Sequence, residues 1–101
     1  MLISRWQAPK LPTKEQVIMI FKMEGLRAVE EIFQPNTEVA EHKHPLDEVR
    51  MIVSGKVLFN IAGNQLLLRS GDRIEIPSNT KHSFKIDGEE PCESIYAQRP
   101  F

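Results

Sequence analysis

The chain has 101 residues, of which 27% are charged and 41% hydrophobic, an ordinary globular balance that excludes a disordered or collagen-like protein. Thirteen Lys and Arg against fourteen Asp and Glu leave a net charge of −1 with the two signs interspersed, so no basic stripe awaits a nucleic-acid backbone. A chain of this length is expected to form one domain over 1–101, hiding roughly 65% of its unfolded surface, with one core and room for one small-molecule site.

The longest apolar run, Val17 to Phe21, is far shorter than the about 20 residues of a bilayer span. The N-terminus lacks the pattern of a secretion signal, and the single cysteine, Cys92, cannot make an internal disulfide. These features predict a cytoplasmic protein with no membrane partner. Cys92 reads as a small buried apolar side chain.

In chain order, Leu2-Ile3 suits an edge strand, and Pro9 and Pro12 then punctuate the chain. Thr13 followed three residues later by Gln16 is a capping box, and Gly25 is placed just past a helix end, so the spacing predicts a helix over 14–24. Val17, Ile20, Phe21 and Met23 would face the body of the protein, with Met19 and Met51 also read as core fillers. The competing reading of Val17 to Phe21 is a buried strand. After Gly25 short apolar or alternating segments recur: 26–33, 39–44, 48–53, 56–61, 65–69, 73–76, 83–86 and 92–98, with turn residues between them. That spacing predicts a mainly β sandwich or barrel with a short N-terminal helix. Residues 1–25 form its strand-and-helix extension and 26–99 the barrel.

All the histidines lie at three positions: His42, His44 and His82. On a strand, residues two apart share a face, so His42 and His44 can present two imidazoles in one direction. A tight turn at Pro45-Leu46-Asp47 can bring the Glu48 carboxylate back toward the same point. Imidazole and carboxylate together suit a divalent transition metal such as Mn, Fe, Co, Ni, Cu or Zn. Arg50 and Ile52 share a face with Glu48, and Arg50 would either grip an anionic ligand or form an internal ion pair.

These residues resemble the cupin superfamily. Its first motif is a glycine, five residues, His-x-His, three or four residues, Glu, six residues, Gly; here His42, His44, Glu48 and Gly55 fall in place, with Asn36 at the leading glycine. Its second is Gly, five residues, Pro-x-Gly, two residues, His, three residues, Asn; Gly71, Pro77 and His82 match, Asn79 stands at the middle glycine and Ile86 at the final asparagine. Asparagine tolerates the left-handed backbone angles that such a position demands. The two motifs cover about half the chain, and the short segment between them is similar to that of small one-domain bacterial cupins.

The resemblance implies a double-stranded β-helix, or jelly-roll barrel, with His42, His44, Glu48 and His82 converging on one divalent metal ion. The approach of His82 rests on the family alone. Arg50, Ile52, Phe59, Phe84 and Tyr96 are expected to wall a pocket for a small-molecule ligand. Three functional classes then follow: a small metalloenzyme of dioxygenase or isomerase type acting on an oxygen-rich molecule, a non-catalytic module that binds or senses a small ligand, and a protein whose metal is structural. Val49, Met51 and Val53 alternate with the inward residues and need cover. A second copy of the chain supplies it in an expected homodimer; the N-terminal strand and helix are the alternative.

Overall fold

The computed structural model describes residues 2–99. Among these residues nine strands form two antiparallel sheets. The first holds β1 (Leu2–Ser4), β7 (Arg73–Ile76), β4 (Asp47–Ser54), β9 (Cys92–Arg99) and β2 (Val29–Phe33), in that order across the sheet. The second holds β3 (Glu38–His42), β8 (His82–Asp87), β5 (Lys56–Ile61) and β6 (Asn64–Arg69). Strands that follow one another in sequence mostly change sheet, as in a jelly roll. The mainly β architecture expected from the turn spacing is therefore the one observed.

Alternation decides what each strand buries. Val57, Phe59 and Ile61 of β5 and His82, Phe84 and Ile86 of β8 all turn inward. The five apolar ones, with Ile52, Leu68, Ile74, Ile76 and Cys92, form the core between the sheets. Burial pushes the Cys92 thiol up to about 11, so it sits there as a neutral apolar group.

A second core lies on the outer face of the five-stranded sheet. There Val17 and Phe21 of α1 (Lys14–Met23) cover Val49, Met51, Ile95 and Ala97. The cover for Val49 and Met51 thus comes from the chain's own helix, and that face gives no reason to invoke a second copy. The helix starts at the capping box: the Gln16 amide donates to Thr13 Oγ1, and the Thr13 amide donates to Gln16 Oε1. It stops in a Schellman turn, with Leu26 N–H donating to Phe21 C=O and Gly25 N–H to Lys22 C=O. Gly25 takes φ 73° there.

Two expectations need correction here. Met19 and Met23 are 54% and 79% exposed rather than buried. Val17 and Phe21, four residues apart, already occupy the inward face, and residues two further on lie on the opposite side of the helix. Only Met51 fills core space. The strand at 39–44 ends early, at His42, and His44 lies in the connection to β4. β1 is a bonded member of the five-stranded sheet through β7, tied down further by an Arg5–Asp72 ion pair.

Gly55 and Gly63 share nearly the same backbone, φ 80° and 82°. A Cβ on Gly55 would collide with the Pro91 carbonyl and lie 2.8 Å from Cys92 Cα, whereas one on Gly63 meets nothing within 4 Å. Gly63→Ala is therefore expected to cost only the left-handed penalty, about 1–2 kcal/mol. Gly55→Ala costs clearly more, and urea unfolding of both variants measures the difference.

Candidate metal centre

The pairing of β3 with β8 creates the site. Val39 lies opposite Phe84, but His42 lies opposite His82, so β3 carries one extra residue in between. In a regular strand Val39 and Glu41 would share the inner face. The bulge shifts the phase, turning His42 inward and leaving Ala40 and Glu41 exposed. The ring centroids of His42 and His82 are 4.3 Å apart.

His44 is held by the turn that follows β7. Its carbonyl accepts from the Asn79 amide at 2.6 Å, and Asp47 Oδ1 accepts from the Ser78 amide at 2.7 Å. Asn79 adopts φ 60° to do this, and Asn36 adopts φ 67°. Both asparagines standing at family glycines thus have the left-handed backbone that glycine would supply. The His44 ring lies 4.7 Å from that of His42 and 5.2 Å from that of His82.

Hydrogen bonding fixes the tautomers. His42 Nδ1 lies 2.8 Å from Ala40 O, and His82 Nδ1 lies 2.9 Å from Thr80 O. A carbonyl oxygen only accepts, so each Nδ1 carries the proton and each Nε2 a lone pair. Nε2 of His82 and Nε2 of His44 are buried with no hydrogen-bond partner. Leaving such atoms unsatisfied costs about 1–3 kcal/mol each. One ligand nitrogen from each of His42, His44 and His82 lies within 4.8 Å of the others. Glu48 is not in that mutual set, but its Oε1 lies 3.5 Å from His44 Nε2. Two buried nitrogens without partners, in a cluster of three imidazoles flanked by a carboxylate, fit a bound cation.

A cavity of about 260 Å³ opens beside the imidazoles, lined in part by Glu31, Phe33, Val39, Arg50, Phe84 and Tyr96. Arg50, only 5% exposed, points into it. Arg50 Nε donates to Glu48 Oε2 at 3.3 Å, while Nη1 donates to Glu31 Oε1 and Ser94 Oγ, each at 2.7 Å. Its guanidinium carbon lies 4.7 Å from the Tyr96 ring centroid and 5.7 Å from that of Phe84. Of the residues expected to wall a pocket, Arg50, Phe84 and Tyr96 line this cavity. Ile52 and Phe59 are fully buried in the inter-sheet core and are not among its lining residues. Glu31 escaped the sequence reading, because nothing marks one glutamate of an acidic strand until its partner Arg50 is located in space.

Residues 29–97 match the family described as a cupin domain. The chain is 47% identical over 51 residues to an acireductone dioxygenase of Bacillus licheniformis, a stretch covering 46% of this chain and 28% of that protein. To an acireductone dioxygenase of Bacillus cereus it is 30% identical over 129 aligned positions, covering 93% of this chain and 76% of that one. A Thermotoga maritima structure described as a predicted oxalate decarboxylase superposes with a TM-score of 0.69 at 18% identity, covering 98% of this chain and 79% of that one, a likeness of fold alone. Among the described residues no helix is long and apolar enough to cross a membrane.

Burial holds the His82 imidazole below its ordinary value; the hydrogen bond to Thr80 opposes this, His42 and His44 lower it further, and Glu48 raises it. The unfolded chain therefore takes up a proton at this residue first as the pH falls. His82 contributes stability that is complete above the ordinary imidazole value near ~6.5 and is lost as the pH drops below it. In the chelator-treated chain, the unfolding free energy should fall between about pH 7.5 and about pH 5.5, with a shallower fall in His82→Gln, as read by denaturant titration.

Proposed function

This chain belongs to the cupin family, and from that membership we propose that it is a small metalloenzyme of the dioxygenase type. Its substrate is a small, oxygen-rich chelating molecule, of the enediol-ketone class that the name of its acireductone dioxygenase relatives denotes. The observation that carries the reading is the pair of buried, partnerless Nε2 atoms converging beside a carboxylate at the wall of a cavity.

His42, His44, His82 and Glu48 would hold one divalent transition metal. Such an ion supplies polarisation of bound oxygen atoms and, if redox-active, access to dioxygen. The protein supplies orientation. The Ala40 and Thr80 carbonyls fix His42 and His82 in the tautomer that leaves Nε2 free. Arg50 occupies Glu48 Oε2, which leaves Oε1 directed at His44. Phe33, Val39 and Phe84 give the cavity an apolar wall that limits water.

Elemental analysis should find about one equivalent of transition metal in chain purified without added metal, and less than roughly a tenth of that in the His42→Ala/His82→Ala double variant. An oxygen electrode should then register uptake when an acireductone-type enediol is added to the loaded chain in air. Metal retained by the double variant would sink the ligand assignment. Ligand binding without oxygen uptake would make the chain a binding module instead.

A further inference from the structure

We propose that Glu31 sets the charge of the ligand this site accepts, selecting a chelator with at most one negative charge over a dianion. The inference rests on the metal-centre reading above and deepens it. Among the residues lining the cavity, Arg50 is the only fixed cation, and Glu31 and Glu48 are the carboxylates. Without Glu31, the arginine would cancel Glu48, and a divalent ion would leave a doubly positive site suited to a dianion. Glu31 removes one of those charges. A monoanionic chelate then makes the site neutral, while a dianion leaves uncompensated negative charge in a partly enclosed, low-dielectric space.

The hydrogen bonding of Arg50 points the same way. A guanidinium grips a carboxylate through two adjacent N–H groups, Nη1 with Nη2 or Nε with Nη2. Nη1 already donates to Glu31 and Ser94, and Nε donates to Glu48. Neither fork has both of its nitrogens free, so Arg50 is spent on the protein's own oxygens. Glu31 comes from β2, an edge strand of its sheet, and its side chain is partly exposed at the cavity, so it can be changed without opening the core.

The test compares oxalate, a dianion, with glycolate, a monoanion of similar bite, by calorimetric titration into the metal-loaded chain at fixed pH and ionic strength. Glu31→Gln should raise the ratio of oxalate to glycolate affinity by roughly tenfold or more, with metal content unchanged. Glu31→Ser supplies the same comparison should the glutamine variant fail to fold. A ratio within about twofold of wild type in a folded, metal-loaded variant would overturn the role of Glu31 and leave the metal centre standing. Wild-type chain that takes up no metal and gives no heat with either anion would overturn the metal-centre reading, and this inference with it.

Discussion

The juxtaposition of His42 and His82 across β3 and β8 is the constraint on which the site is built. Two imidazoles from distant parts of the chain are set side by side by backbone pairing, and each is then locked by a carbonyl two residues upstream of it. That lock acts on chemistry as well as on orientation. It decides which nitrogen holds the proton, and at His82 it leaves the lone pair on an Nε2 that is buried with no hydrogen-bond partner. A cation shared with His42 and His44 would offset the cost of that buried lone pair.

Around that pair the fold arranges two kinds of support. The inter-sheet core fixes β5 and β8 from below through Phe59, Phe84 and Ile86, so the imidazoles stand on a packed floor. The helix-covered core on the outer face fixes β4 from behind through Val49 and Met51. β4 is thereby buried on both faces, which holds Glu48 and Arg50 on the other side at a set height. Stability and the candidate site share this strand: Val49, Met51 and Val53 pack in the helix-covered core, Glu48 and Arg50 reach the cavity, and Ile52 joins the core between the sheets.

Much of this was legible in the sequence because it rests on local signals. Thr13, Gln16 and Gly25 mark both helix ends, and turn residues mark nearly every strand. His42, His44 and His82 are all the histidines of the chain, and Glu48 stands at an informative offset from them. What stayed hidden depends on distance through space. The orientation of Met19 and Met23 is decided by which helix face meets the sheet. Ile52 and Phe59 share a face with cavity residues, yet lie deeper between the sheets, and alternation carries no information about depth. Glu31 has meaning only through Arg50, nineteen residues away. The placement of His44 on a strand failed because a bulge and an early strand end leave no mark in a pattern of alternating side chains.

The extra residue in β3 has a consequence for how the chain tolerates insertions and deletions. Between Val39 and His42 the strand holds one residue more than its neighbour has to pair with. Shortening the chain by one at Ala40 or Glu41 would restore regular pairing and still leave Val39 and His42 facing inward. Removing Lys43 would instead act in the connection to β4 and displace His44, whose carbonyl accepts from the Asn79 amide. A one-residue loss is thus absorbed by pairing before His42, whereas just past it the same loss moves an imidazole of the site.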